Sequence, residues 1–252
     1  MILLVDIGNS RIKWAWLVDG ALQQAGVLLH GGAVPRDLAA NLFAGGRRAR
    51  RTLLASVAGP ELTASVLSLL GGDGPAPQRV ETAASFGTLR NGYSNPAQMG
   101  VDRWLALIGA RERCRGAFCV VDAGTALTLD VVDAQGEHLG GYILPGAQLM
   151  QDSLAGGTGR IAASARLQGG GAAAGHWGRD TATCLRLGAE KALACLVEDS
   201  LKNLVNQGHE RPALFLTGGA GTALATTLRA PAELRPLLVL EGLAAVARGA
   251  PA

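Results

Sequence analysis

Short apolar runs broken by glycine turns recur at two places in the chain, and both places follow the same pattern. Ile2-Leu3-Leu4-Val5 leads into Asp6-Ile7-Gly8-Asn9-Ser10 and continues through Ile12, Trp14, Trp16 and Val18. Much later, Phe118-Cys119-Val120-Val121 leads into Asp122-Ala123-Gly124-Thr125-Ala126 and continues through Leu127, Leu129, Val131 and Val132. Each unit then turns again, at Asp19-Gly20 and between Asp133 and Gly136. A strand, a glycine turn and an antiparallel strand gather backbone N–H groups, a carboxylate and a hydroxyl or amide at one loop. Glycine there lets the backbone take φ > 0 and lets a bulky anion approach closely. One such turn is ordinary hairpin chemistry. Two copies, each opening one half of the chain, point to a pair of phosphate-binding loops and an ATP-dependent enzyme.

The rest of the pattern alternates strand-like and helix-like segments, which predicts an α/β fold. The first half reads as strands over 2–6, 11–18, 22–29 and 52–57, with helices near 35–44 and over 60–70. A Gly/Pro-rich loop spans 71–77. Between Gly100 and Arg115, Val101, Trp104, Leu105 and Ile108 recur at helical spacing on one face. The second half restarts with the repeated hairpin over 117–133 and a strand over 138–144 closed by Pro145-Gly146. A Gly/Ala-rich stretch over 155–175 reads as a mobile or a simple surface segment. A helix follows from Asp180, a natural N-cap, to Asn206. A strand over 214–216 then runs into Thr217-Gly218-Gly219, and a helix over 241–248 closes the chain. Two halves that each begin with a hairpin and a third strand predict duplicated domains, 1–115 and 116–252.

Composition narrows the class. With 252 residues there is ample chain for a real core, and 48% hydrophobic content with only 4% aromatic predicts close packing of small residues. No apolar stretch approaches the roughly 20 residues of a membrane span, and Asp6 follows the first apolar run with no basic segment before it, unlike a signal peptide. A cytoplasmic protein is the expectation. Cys114, Cys119, Cys184 and Cys195 show neither Cys-x-x-Cys nor Cys/His ligand spacing, so they read as scattered thiols. The net charge of +3 is mild, and the one basic run, Arg47-Arg48-Ala49-Arg50-Arg51, lacks the support that nucleic-acid binding needs.

No Gly-x-x-x-x-Gly-Lys-[Ser/Thr] element is present, so this is not a P-loop enzyme. Four ordered motifs stand instead: Asp6-x-Gly-Asn-Ser-x-x-Lys13, Gly100-Val-Asp-Arg103, Asp122-Ala-Gly-Thr-Ala126 and Thr217-Gly-Gly219. Together they resemble the signatures of type III pantothenate kinases, a family of the acetate/sugar kinase–Hsp70–actin superfamily. The resemblance also takes in Tyr93-Ser-Asn-Pro96, Gly178-Arg-Asp-Thr181 and Leu238-Val-Leu-Glu-Gly-Leu243, and so spans nearly the whole chain. It implies two duplicated ribonuclease H-like domains of the actin-like ATPase superfamily. Two positions depart from the family: Ser10 replaces the usual Thr, and Ser164-Ala165-Arg166-Leu167-Gln168 replaces Thr-Ala-x-Leu-Pro.

What the resemblance implies can be set against the chemistry of each residue. The loop of Asp6, Ile7, Gly8, Asn9, Ser10, Arg11, Ile12 and Lys13 would cradle the ATP phosphates, with Asn9 and Ser10 as added donors. Asp6 would hold Mg²⁺, which favours one or two carboxylates plus phosphate oxygens. Lys13 is equally well explained as a solvated edge residue. Asp102, in the first turn of a helix whose dipole keeps a carboxylate ionised, would accept the acceptor's hydroxyl proton; the competing account is a helix cap. An arginine at a helix start opposes that dipole, and Arg103 finds a reason in a bidentate grip on the pantothenate carboxylate. Tyr93, Gly100, Val101, Asp102 and Arg103 would shape the pantothenate pocket. Thr181 would join them, unless it is a plain first-turn residue. Asp122 corresponds to the residue that holds a monovalent cation (K⁺ or NH₄⁺), Thr125 to one that touches ATP. Gly218 and Gly219 would lie against adenine or ribose.

The implied activity is ATP-dependent phosphorylation of pantothenate to 4'-phosphopantothenate, the first step of coenzyme A synthesis. A superfamily kinase for another small hydroxylated acid or sugar is the enzymatic alternative, and a regulatory accessory protein the other. A homodimer is expected, because Cys184, Leu187, Ala192, Cys195 and Leu196 form an apolar helix face that suits a twin. A core-facing helix explains the same stripe.

Overall fold

The computed structural model describes residues 1–72, 75–157 and 177–249. The segment Ser164 to Gln168 lies outside them, as does the Gly/Ala-rich stretch apart from 155–157, which end a helix. The described residues form two compact units. Unit 1 holds the described residues of Met1–Arg115, Val132–Gly140 and Leu237–Ala252; unit 2 holds those of Gly116–Val131 and Gly141–Pro236.

Unit 1 is built on a five-stranded sheet of order β3-β2-β1-β4-β5, with β1 Ile2–Ile7, β2 Arg11–Val18, β3 Ala21–Leu29, β4 Arg51–Ser56 and β5 Gln78–Arg79. β1 pairs antiparallel with β2 and parallel with β4, so β1 is central and buried on both faces. Side chains alternate along it. Leu3, Val5 and Ile7 join Trp14, Trp16, Leu38, Leu42, Leu62, Val66 and Leu70 in one core, under helices α1 (Leu38–Leu42) and α2 (Pro60–Gly71). Leu4 and Asp6 therefore point to the opposite face. Two antiparallel strands, β6 Ser85–Phe86 and β7 Leu89–Arg90, stand apart.

Helix α3 (Val101–Arg111) is buried almost throughout, not along one stripe as its periodicity predicts. Its outer side is covered by the C-terminal helix (Leu238–Arg248), to which Arg113–Glu241 at 2.8 Å and Arg248–Glu112 at 3.3 Å add ion pairs. The helix also stops at Arg111 rather than Arg115. There Arg111 turns back, donating to the carbonyls of Arg115 (2.9 Å) and Ala134 (3.1 Å) and to Thr88 Oγ1 (3.2 Å).

The second sheet, of unit 2 except for Val132 and His138–Gly140, repeats the same strand order, β10-β9-β8-β11-β12, with β8 Phe118–Ala123, β9 Ala126–Val132, β10 His138–Pro145, β11 Ala213–Thr217 and β12 Glu233–Leu234. β8 and β11 are parallel, as β1 and β4 are. Cys119, Val121, Ala123, Leu127 and Leu129 pack under the long helix α5 (Thr181–Asn206) through Leu193, Ala194, Val197 and Leu204. Burial pushes the Cys119 thiol pKa far up, so it behaves as a small core hydrophobe. Two helices were not expected from the pattern, α4 (Ala147–Gly157) and α6 (Gly221–Thr227). The C-terminal helix begins at Leu238, earlier than Glu241.

Candidate active site

In unit 1 the first glycine turn closes as a tight loop in which Gly8 N–H donates to the Arg11 carbonyl at 2.9 Å. Asn9, Ser10 and Arg11 are exposed, whereas Ile7 and Ile12 are buried and serve the core rather than the solvent side of the loop. Asp6, the residue before the last of β1, is 5% exposed, opposite Lys13 across the hairpin and Ala55 across the parallel pair. Lys13 itself is half-buried on β2, which pairs with a strand on each side, so it is not the solvated edge residue that one account allowed.

Sequence reasoning missed the brace of this loop, because no motif marks it. His30, at the end of β3, is 7% exposed. Its Nε2–H donates to the Gly8 carbonyl at 2.9 Å, and its backbone N–H donates to the Ser10 carbonyl at 3.1 Å. Gly32 N–H donates to Nδ1 at 3.3 Å, which assigns the ring proton to Nε2. Both loop carbonyls are thus turned toward His30.

The Gly-Val-Asp-Arg motif sits at the start of α3. A single residue links it to the first loop: Val57 N–H donates to the Ile7 carbonyl at 3.0 Å, and Val57 Cγ1 lies 3.9 Å from where a Gly100 Cβ would stand. That same Cβ would come within 2.6 Å of Asp102 Oδ1, so any larger residue at Gly100 displaces the carboxylate. Asp102 is half-buried, and its Oδ1 accepts the Arg103 N–H at 2.8 Å. It therefore satisfies one first-turn donor, as a capping carboxylate does, while staying within reach of solvent. The approach to the motif is pinned by Thr82 Oγ1, which donates to the Met99 carbonyl at 2.8 Å, and by Asn95, whose Oδ1 accepts the Ala97 N–H at 3.2 Å.

Arg103 is 7% exposed, unusual for a guanidinium. Its Nη1 donates to the Tyr93 hydroxyl at 2.9 Å, and its Cζ lies 5.7 Å from the Tyr93 ring centroid. The Tyr93 ring in turn stacks on His138, with centroids 5.9 Å apart and planes 14° from parallel. The structure thus joins Tyr93 and Arg103, ten residues apart in sequence, in one polar cluster. Val101 is buried.

In unit 2 the second loop is similar in kind. Gly124 N–H donates to the Ala126 carbonyl at 3.0 Å, and Gly146 N–H donates to the Thr125 carbonyl at 2.9 Å, which leaves Thr125 exposed. Asp122, the residue before the last of β8, lies directly beside Thr217 of β11 in the parallel ladder. Gly218, at φ 85°, presses against Asp122 and the Ala123 carbonyl so closely that a Cβ there would overlap both. Gly219 is exposed beside it. Thr217 is 1% exposed, and its Oγ1 is buried with no hydrogen-bond partner. A carboxylate, a buried hydroxyl and a backbone carbonyl make an all-oxygen set that suits a hard cation. Among the described residues no group of three or more His, Cys, Asp or Glu could hold a metal. Any ion here would depend on hydroxyl, carbonyl and ligand oxygens as well as a carboxylate.

Thr181 is the first residue of α5 and is exposed. Asp180 caps that helix, accepting the Thr183 N–H at 2.8 Å and the Thr183 hydroxyl at 2.7 Å. These bonds, the backbone one foremost, hold the Asp180 carboxyl below the ordinary carboxylate range. No described helix is long and apolar enough to cross a membrane.

The chain matches the family model of type III pantothenate kinases over residues 2–203. Among curated relatives, a type III pantothenate kinase of Aromatoleum aromaticum is 40% identical over 255 residues, covering 98% of each chain. One from Halorhodospira halophila is 42% identical over 260 residues, covering 96% of each. Among solved structures, a ROK family glucokinase from Streptomyces griseus in complex with glucose and AMPPNP superposes with a TM-score of 0.54 at 12% identity, over 98% of this chain and 99% of that one. That likeness, with the strand order repeated in two five-stranded sheets, shows the fold alone: an α/β architecture of two duplicated domains. With matched motifs, full-length coverage and a shared architecture, this chain belongs to the type III pantothenate kinase family.

Proposed function

We propose that this protein transfers the γ-phosphoryl group of ATP to the primary hydroxyl of pantothenate, giving 4'-phosphopantothenate and ADP. The observation that carries the reading is the buried Arg103 held by Tyr93 one residue from the half-buried carboxylate of Asp102. A fixed cation beside a proton acceptor fits a substrate with a carboxylate at one end and a hydroxyl at the other.

Asp102 is the residue we assign to accept the hydroxyl proton. Phosphoryl transfer through a loose transition state depends chiefly on positioning, so a well-placed carboxylate serves. Arg103 grips the carboxylate of pantothenate, and Tyr93, Gly100 and Val101 shape the pocket around it. The loop from Asp6 to Lys13 receives the ATP phosphates through its backbone N–H groups, with the exposed Asn9 and Ser10 adding donors. Thr125 touches the nucleotide, and Gly218 and Gly219 leave room for it. We assign Mg²⁺ to Asp6, directly or through water, and K⁺ or NH₄⁺ to Asp122; the buried Thr217 hydroxyl beside Asp122 supports the second assignment. These ions would neutralise phosphate charge that the few basic residues here do not.

By duplication we divide the chain into halves 1–115 and 116–252, the closing helix Leu238–Arg248 returning to the first unit. We also infer a homodimer. Thr181, Cys184, Gly188, Ala192 and Cys195 are all exposed and recur along one side of α5, next to an apolar groove of about 440 Å³ that Met150 and Leu154 also line. Small residues on that side let a second helix approach closely, and a second copy of this chain is the occupant we assign. Its α5 would bring Thr181 to a pantothenate pocket, so mixing the Asp102→Asn and Thr181→Arg variants should restore activity through hybrid dimers. A fully active monomer by light scattering contradicts this arrangement.

The test of the activity is a coupled ADP-release assay with pantothenate and a panel of sugars and hydroxy acids. Preference for pantothenate supports the reading. Preference for a sugar replaces it with the superfamily alternative.

A further inference from the structure

The cluster around Arg103 does not end at Tyr93. His138, the first residue of β10, is 3% exposed, and its ring is the surface on which Tyr93 stacks. The segment bearing Tyr93 is fastened to the segment bearing His138 at successive residues. Arg90 N–H donates to the Gly136 carbonyl at 2.9 Å, and the Arg90 side chain pairs with Glu137 at 3.0 Å. Gly92 lies so close that a Cβ there would overlap the His138 carbonyl oxygen. Asn91 Oδ1 then accepts the Tyr93 N–H at 3.0 Å, setting the direction in which the tyrosine leaves the loop.

A tyrosine has two side-chain torsions that place its hydroxyl. The loop bonds fix the backbone, and the parallel ring face of His138 limits the rest, within the range in which offset aromatic pairs attract. The hydroxyl that results accepts from Arg103 Nη1. Because that oxygen is an acceptor toward Arg103, its own proton is directed elsewhere. We propose that His138 is a positioning residue for acceptor recognition: its buried ring orients Tyr93, and Tyr93 holds the Arg103 guanidinium toward the substrate carboxylate. The feature that orients Tyr93 is the flat ring face, which a phenylalanine ring also presents. This assignment rests on the reading of Arg103 as the carboxylate-binding residue.

Two volume-filling variants test it, His138→Phe and His138→Leu, each assayed for pantothenate and ATP and for thermal stability. His138→Phe keeps the stack and should retain a wild-type KM for pantothenate. His138→Leu should raise that KM about threefold to tenfold, the range worth of one aromatic pair, with the ATP KM unchanged. A second readout does not depend on activity. The chain has two tyrosines, Tyr93 and the exposed Tyr142. In ¹³C-tyrosine spectra the Tyr93 ring signal should shift in His138→Leu much more than in His138→Phe, and the Tyr142 signal should not move. Equal pantothenate KM values in the two variants, or a Tyr93 signal that ignores both, overturns the proposal. A wild-type protein inactive on pantothenate whose Tyr93 signal still follows His138 overturns the substrate assignment instead, while the stack stands.

Discussion

His30 Nε2–H donates to the Gly8 carbonyl at 2.9 Å, so the first glycine turn is held from behind by a buried imidazole at the end of β3. A carbonyl held on one side of a tight loop leaves the neighbouring N–H groups facing the other side, where an anion can reach them. His30→Ala removes that donor and lets the loop relax. The ATP KM should rise about threefold to tenfold, the effect of losing one net hydrogen bond of ~1 kcal/mol, with the pantothenate KM unchanged. His30→Gln, which keeps a side-chain N–H at similar reach, should recover part of the loss in steady-state kinetics. A larger effect on pantothenate than on ATP contradicts the brace.

Removing the proton acceptor is the sharpest test of Asp102. Asp102→Asn keeps the size and can still accept the Arg103 N–H. We expect kcat to fall by at least ~10²-fold, the loss typical of a general base, with little change in ATP binding by calorimetry. Near-normal turnover would return Asp102 to a capping role alone.

Much of this was legible in the sequence because it lives in short-range patterns. The Asp-x-Gly hairpins, the Asp180 cap and the helix that begins just after Gly100 are each specified by residues a few positions apart. The rest depends on partners far along the chain. Two-residue strands such as Gln78–Arg79 and Glu233–Leu234 exist only because β4 and β11 offer an open edge. Helix Gly221–Thr227 starts on a glycine, and Ala147–Gly157 follows directly on Pro145-Gly146, so neither carries a start signal. His30 and His138 were invisible for the same reason. Each acts on a residue that lies 22 or 45 positions away, His30 on Gly8 and His138 on Tyr93.

Arg103→Lys separates charge from shape. Lysine keeps the charge but loses the planar fork, together with the directed bond to Tyr93. The pantothenate KM should rise at least about tenfold while the ATP KM holds, and pantothenol, which has no carboxylate, should be a poor substrate of the wild type. Equal use of pantothenol and pantothenate contradicts the anion contact.

Asp180 gives a pH dependence of known sign. Its carboxyl is held below its ordinary value by bonds to Thr183, so the cap is present above the unfolded pKa of about 3.9 and is lost as pH falls through the lower folded value. Amide exchange at Thr183 should therefore lose its protection relative to mid-helix amides only in strongly acidic buffer, and in Asp180→Ala at every pH. Protection that persists in Asp180→Ala contradicts the assignment of the cap.

The central claim is a transfer of phosphate to one named hydroxyl, and the product reports on it directly. The protein incubated with ATP, Mg²⁺, K⁺ and pantothenate should yield a single new phosphomonoester by ³¹P NMR. Its phosphorus should couple to the two protons of the terminal CH₂, as in 4'-phosphopantothenate, and ADP should appear in equal amount. The yield should collapse when K⁺ is replaced by Na⁺. ADP and free phosphate without that ester, or an ester formed only with some other acceptor, would contradict the account.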